Sequence, residues 1–331
     1  MMLHTDAIPL SGLKADEFKS EEPPFIAACP LCDCHKMETV VRHSDFEGVF
    51  VYRCMNCNHH FAHPEPDPNQ ITVHYSGAYR RHRFGPSYCE LMKRRAAAQV
   101  QFIRRSLMAS GGSFAKWKVC DIGCGIGALV AQFEREGALA KGYDLDPNAI
   151  RFGKKHWKLD LHVGGLEGVP LSTQDLDLLC LSHVIEHLQS LQSSLEKAVH
   201  GLRDGRYLFV EVPRYHEKTF QPPLDLESHL HFFTSSSLTA LLERVGLSVI
   251  ISATCGPTPQ MVEGKGHCSV SMFRLIWNRV LCLLKQTHHI RTLYDGFFET
   301  YGQAPEAGGI WIRCLAKKKG EEHGSARPHP C

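Results

Sequence analysis

Three groupings of residues in this sequence have types and spacings suited to chemistry. The first is Val119-Cys120-Asp121-Ile122-Gly123-Cys124-Gly125-Ile126-Gly127, followed by Asp144 at the end of the next apolar run. An apolar segment closes on a carboxylate, breaks into alternating glycines and restarts as a helix at Ala128-Leu129-Val130. Glycine lets the chain turn tightly and lets a ligand approach the backbone. A helix N-terminus offers N–H groups to the anionic part of that ligand, and a second carboxylate is placed to hold a ribose diol. The pattern therefore predicts a nucleoside-containing cofactor. The second grouping is Cys29-Pro-Leu-Cys32 and Cys54-Met-Asn-Cys57, two C-x2-C pairs separated by 21 residues. Each pair turns two thiolates to one side of a knuckle, and two knuckles complete a tetrahedral four-sulfur site of the zinc-ribbon kind. Asp33 and Asn58 follow the second cysteine of each knuckle, and both tolerate left-handed backbone. The third is a set of histidines, His183 and His187 beside Glu186, and His229 and His231 further on.

Gly123, Gly125 and Ala128 also satisfy the dinucleotide fingerprint G-x-G-x-x-G/A, so the glycines alone do not choose the nucleoside. Asp121 stands two residues before the first glycine, where a nicotinamide fold keeps an apolar strand residue. Downstream, Asp177 to Leu188 reads as a buried strand running into a polar loop and a helix. These residues favour S-adenosylmethionine.

Here the chain resembles the class I S-adenosylmethionine-dependent methyltransferases. Asp121 to Gly127 matches their first motif, Tyr143-Asp144-Leu145-Asp146 their second, and His183 to Leu188 the loop after their fourth strand. The resemblance implies an α/β, Rossmann-like sheet of seven strands, six parallel and one antiparallel, with helices on both faces. The antiparallel seventh strand would insert between the fifth and sixth. It also implies cofactor contacts from Asp121, Gly123, Gly125, Gly127, Asp144, Leu145, Leu166, Glu167, Ser182 and His183. After the third strand, where the family often has an acidic or polar residue against adenine, this chain reads Gly164-Gly165-Leu166-Glu167. Glu167 or backbone N–H groups would take that part. The N-terminal cysteines, with Phe61, Pro64, Pro66, Tyr75 and Tyr79, and the segment His229-Leu-His-Phe-Phe-Thr234, resemble methyltransferases of surface-polysaccharide and sugar biosynthesis. That implies a structural Zn2+ on Cys29, Cys32, Cys54 and Cys57, and a sugar, nucleotide-sugar or glycan acceptor.

The elements that would position these groups are legible as a pattern. Tyr88 to Met108 carries a helical stripe of apolar residues. Asp146-Pro147 is an N-cap followed by proline at the first helical position. Strands are predicted at Val49–Arg53, Leu161–Val163, Leu176–Leu181, Tyr207–Val212, Leu247–Ser252 and Ile310–Ala316, with a helix over Ser235–Val245. Alternating strands and helices imply a mostly parallel sheet covered on both faces. The expected organisation is a flexible arm (1–28), a zinc ribbon (29–66), a linker and helix (67–110), and a methyltransferase core (111–316). The core would contain a helical insertion (256–308), and a disordered tail (317–331) would follow it. Within the insertion, Phe273, Ile276, Trp277, Val280, Leu281 and Leu284 recur at helical spacing. They form either a helix packed on the core or a lid that meets substrate or a lipid-linked glycan.

Composition bounds the function. The 331 residues suffice for about two domains and a sizeable core. Thirty-seven basic against 35 acidic residues weigh against a dedicated nucleic-acid binder, whose affinity rests on phosphate neutralisation. No signal-peptide pattern opens the sequence and no apolar run reaches the roughly 18 residues of a membrane span. Several of the 14 cysteines lie within apolar strands, as reduced thiols of a cytoplasmic protein do. A hydroxyl acceptor calls for a general base, expected from His187, His231 or His229. Two alternatives are a ribosomal-RNA base methyltransferase with a zinc module and a non-catalytic scaffold of the same fold.

Overall fold

The computed structural model describes residues 28–67, 70, 84–107, 112–171, 175–215, 217–221, 224, 226–256 and 309–320. The expected arm, the Phe273–Leu284 stripe and the chain beyond Gly320 lie outside the described residues.

The main sheet has seven strands: β4 (Lys118–Ile122), β5 (Leu139–Asp144), β6 (Leu161–Val163), β7 (Leu176–Ser182), β8 (Leu202–Pro213), β10 (Leu247–Cys255) and β11 (Trp311–Lys318). Their spatial order is β10-β11-β8-β7-β4-β5-β6. β4 to β8 pair in parallel, and β11 runs antiparallel to both β8 and β10. This is the expected arrangement, with the last strand inserted between the fifth and sixth. β11 reaches Lys318, so regular structure continues past Ala316. β7 is buried from Leu176 to Leu181, as a strand covered on both faces must be.

Helices α1 (Pro86–Leu107), α2 (Ala128–Arg135), α3 (Pro147–Trp157), α4 (Leu191–His200) and α5 (Ser235–Arg244) cover the sheet. The Asp146 side chain caps α3 by accepting from Asn148 N at 2.8 Å, with Pro147 at the first position. α5 begins in a reciprocal capping box: Thr234 accepts from Ser237 N at 3.1 Å, and Ser237 Oγ accepts from Thr234 N at 3.0 Å.

The second sheet was only half expected. β1 (Met37–Arg42), β2 (Phe50–Cys54) and β3 (His60–His63) form an antiparallel ribbon, and β9 (His231–Phe232) joins its edge through β3. β9 comes from the segment before α5, so the ribbon and the main domain share a sheet. They also share a core: Cys29, Leu31, Tyr52, Cys54 and Phe61 belong to the same buried cluster as Leu181, Ile185 and Phe233. A ribbon this small buries little apolar surface alone, and here that deficit is met by packing on the larger domain.

Candidate active site

At the C-terminal end of β4 the chain turns through Gly123, Gly125 and Gly127, with φ of 75°, 54° and 84°. A Cβ on Gly123 would meet Val184 Cγ2 at 2.4 Å, and one on Gly127 would meet Leu159 Cδ1 at 2.7 Å. Beside Gly125 nothing lies within 4 Å, so a ligand can approach the backbone there. Asp144 locks the loop: Oδ2 accepts from Gly125 N at 2.7 Å and Oδ1 from Asp146 N at 2.8 Å. Burial raises the Asp144 carboxyl despite these two bonds. Asp121 is buried on β4, its carboxyl pushed up to about 8 by burial and then by the charge of Asp144.

A cavity of about 570 Å³ opens at this edge of the sheet. Of the residues expected from sequence, its wall brings together Gly123, Asp144, Leu145, Leu166, Glu167, His183 and His187. Leu145 is 65% exposed, an apolar face at the cavity that suits a flat heterocycle. Within that wall Glu167 accepts from Ser194 Oγ, and it lies 3.8 Å from Lys197 Nζ. Gly125, Gly127, Asp121, Ser182, His229 and His231 stand outside that wall.

The histidines fall into different settings. His187 lines the cavity, and its Nδ1 lies 3.3 Å from the Ser228 carbonyl. A carbonyl only accepts, so Nδ1 carries a proton. His229 lies against it, ring centroids 4.8 Å apart, its own ring pushed down to about 3 by burial and then by His187 and His43. His231 is turned away. It donates through Nε2 to the Leu188 carbonyl at 2.9 Å and stacks on His59. That placement ties the ribbon to the main domain and gives His231 a structural hydrogen bond. His183 adopts φ 55° and sits between two carboxylates, Nδ1 3.4 Å from Glu186 and Nε2 3.7 Å from Glu211. Glu186 is buried and pushed up to about 8 by burial, so it holds its proton near neutrality. The ligand atoms of Glu186, His187 and His229 lie within 4.8 Å of one another, close enough to hold a divalent cation.

Sequence reasoning missed the ionic cluster behind His183. Glu211 on β8 faces Arg313 on β11 in direct register, and Arg313 Nε donates to Glu211 Oε2 at 2.5 Å. Arg95 on α1 donates to Glu211 Oε1 at 2.6 Å and to Ser182 Oγ at 2.9 Å, and Gln99 donates to both. Burial pushes the Glu211 carboxyl up, but Arg95 and Arg313 overcome it and hold it well below the usual range. Ser182 therefore belongs to the joint between α1 and the sheet. The signal was present in the sequence: one charge inside each of two apolar strands, Tyr207-Leu-Phe-Val-Glu211-Val and Trp311-Ile-Arg313-Cys.

The four ribbon cysteines converge. Cys29 and Cys57 Sγ are 3.6 Å apart, as are Cys32 and Cys54, and all four sulfurs lie within 4.8 Å of one another. A tetrahedral Zn–S length of about 2.3 Å gives sulfur–sulfur edges of about 3.8 Å, so the set fits zinc. Leu31 N and Asn56 N each donate to the cysteine two residues before them at 3.4 Å, the outer hydrogen bonds that settle thiolate ligands. Asp33 and Asn58 take φ of 56° and 59°, the left-handed geometry expected after each knuckle.

Comparison with known proteins follows the same lines. A family model described as a methyltransferase domain matches residues 79–251, more than half of the chain. The mitochondrial ubiquinone biosynthesis O-methyltransferase of Schizosaccharomyces pombe is 32% identical over 111 residues, covering 30% of this chain and 40% of that protein. The mouse enzyme of the same name is 25% identical over 178 residues, covering 46% and 48%. The chain thus spans less than half the length of these curated relatives. Among solved structures, the 1,6-didemethyltoxoflavin-N1-methyltransferase of Burkholderia thailandensis is 13% identical with a TM-score of 0.47, over 81% of this chain and 99% of that one.

Proposed function

The chain belongs to the methyltransferase domain family, and from that membership we propose that it methylates a hydroxyl of a small molecule using S-adenosylmethionine. The observation that carries this reading is the glycine loop locked to Asp144 beside the 570 Å³ cavity. Bound there, S-adenosylmethionine supplies an electrophilic methyl group on a positively charged sulfur.

The chain's own residues do the rest. Gly123 and the open face of Gly125 would let the ligand approach the backbone, Asp144 would accept from the ribose hydroxyls, and Leu145 and Leu166 would offer apolar surface to the adenine. His187, which lines the cavity and is oriented by its Nδ1 contact to the Ser228 carbonyl, takes the proton from the acceptor hydroxyl, an assistance typically of about 10²–10⁴-fold. Glu186 keeps its proton and leaves that task to the imidazole. Orientation of the hydroxyl toward the methyl group contributes several kcal/mol more.

A hydroxyl acceptor is supported by relatives named as O-methyltransferases. The choice of a sugar or nucleotide-sugar rests on the N-terminal cysteine module and the His229–Thr234 segment. In this reading Cys29, Cys32, Cys54 and Cys57 hold a structural Zn2+, with no coordination position left for chemistry.

The test is calorimetric titration of the zinc-loaded protein with S-adenosylmethionine, S-adenosylhomocysteine and NAD, alongside metal analysis of the wild type and Cys54→Ser. Micromolar binding of the first two ligands and not NAD is expected, with one zinc per chain lost in the variant. Binding of neither methyl-cycle ligand would point to a scaffold. Methyl transfer to ribosomal RNA, with tight and salt-sensitive binding, would overturn the small-molecule acceptor.

A further inference from the structure

Leu226 to Leu230 is an irregular loop in which Glu227 and Ser228 both take left-handed angles, φ 49° and 58°. Side chains other than glycine leave that region unless their neighbours hold them there. The neighbours are the tip of the β1–β2 hairpin. Ser228 N donates to the Asp45 carboxylate at 2.6 Å, Leu226 N to Ser44 Oγ at 3.2 Å, and His43 Nε2 to the His229 carbonyl at 2.9 Å. His43 Nδ1 accepts from Asp45 N at 3.1 Å, which places the ring proton on Nε2. Beneath them Phe46, Val49, Ala62 and Leu230 form a small apolar cluster of their own.

The opposite side of the loop meets the cavity. Ser228 O takes the Nδ1 proton of His187, and Leu230 N donates to the Glu186 carbonyl at 2.7 Å. Hairpin tip, loop and the Ile185–His187 turn are thus three consecutive layers. The far end of the same hairpin carries Cys54, the last residue of β2.

We propose that His43, Ser44 and Asp45 are positioning residues for the acceptor side of the cavity: the ribbon's hairpin tip fixes Leu226–Leu230, and through it the tautomer of His187 and the seat of His229. The role assigned to His187 rests on the functional reading above. On this view the ribbon tip is occupied within the chain, and what the metal module braces is the acceptor side.

The test uses full-length, zinc-loaded protein with Asp45→Ala and Asp45→Asn. Carbethoxylation of individual histidines by diethyl pyrocarbonate is mapped by mass spectrometry, and amide exchange is followed across residues 226–231. Asp45→Ala should raise the rates at His187, His229 and the Ser228 amide by ~10-fold or more, as local opening is no longer opposed. Asp45→Asn keeps an acceptor oxygen for Ser228 N and should stay within about twofold of wild type. S-adenosylhomocysteine affinity and zinc content should be unchanged in both. Wild-type rates in Asp45→Ala, or an Asn variant as reactive as the Ala variant, would overturn the proposal. If Asp45→Ala fails to fold, Ser44→Ala carries the test, with a smaller change in the same direction expected and wild-type rates overturning it. None of these rates depends on methyl transfer. A protein that binds no S-adenosylhomocysteine would refute the functional reading and still report on the clamp.

Discussion

The two halves of the cavity are built in opposite ways. The glycine-loop half, proposed above to hold the cofactor, comes from a short contiguous stretch, Asp121 to Asp146, and is built on backbone: glycine angles, loop N–H groups and one carboxylate that fastens them. The histidine half, proposed above to meet the acceptor, is assembled from side chains drawn from distant parts of the chain. His187 follows β7 and lines the cavity, His229 packs on it from the segment before β9, and behind His183 lie Arg95 of α1, Glu211 of β8 and Arg313 of β11, while the hairpin tip that bonds to the 226–230 loop comes from between β1 and β2. A common ligand can be held by a common backbone device, whereas an acceptor must be distinguished by side chains. The conserved physics of one half leaves a local trace in sequence, and the assembled half leaves scattered ones.

The largest effect should come from Glu211, the buried carboxylate that joins α1, β8 and β11 behind His183. Glu211→Gln leaves Arg313 buried without its counter-charge and should cost about 3–5 kcal/mol in urea unfolding. Because the Glu211 carboxyl is held below its ordinary 4.5, its contribution is present above that pH and lost as pH falls through the lower folded value. The gap between wild type and variant should therefore close in acid. Next, His187→Ala should lower kcat by about 10²–10⁴-fold while S-adenosylmethionine affinity stays within about twofold. An equal loss of cofactor binding would erase the division between the halves. Asp144→Ala should do the reverse, weakening cofactor binding by about 10–100-fold as a charge-assisted contact and the loop's fastening are lost. Calorimetry with S-adenosylhomocysteine reads this directly. The smallest effect belongs to Ser182→Ala, expected to cost about 1 kcal/mol of stability with unchanged cofactor affinity. Weaker cofactor binding in that variant would return Ser182 to the ligand's side.

The same contrast explains what could be read from the residues. The positions of strands and helix starts were legible because strand burial and helix caps are local properties: Leu176–Leu181 and Asp146-Pro147 carry their own signals, whereas the order of the strands was implied only by the family resemblance. The cysteine knuckles were legible for the same reason, since spacing alone turns each pair to one side. His231 shows where this stops. Its motif offered a candidate base, but pairing of β9 with β3 directs its ring to Leu188 and His59. Two-residue β9 is too short to announce itself by alternation, and its partner lies far back in the chain.

By itself, then, the sequence determined the glycine turn, the carboxylate after the next strand, the two knuckles and the alternation of strands and helices. Each depends on residues within one or two turns of backbone. Only the tertiary structure decided that His187, among the three candidate bases, lines the cavity, that Ser182 serves the Arg95–Glu211 joint, and that the ribbon shares a sheet and a core with the methyltransferase domain. Those outcomes depend on hydrogen bonds between segments many residues apart, whose direction is set by packing and by the need to satisfy buried polar groups.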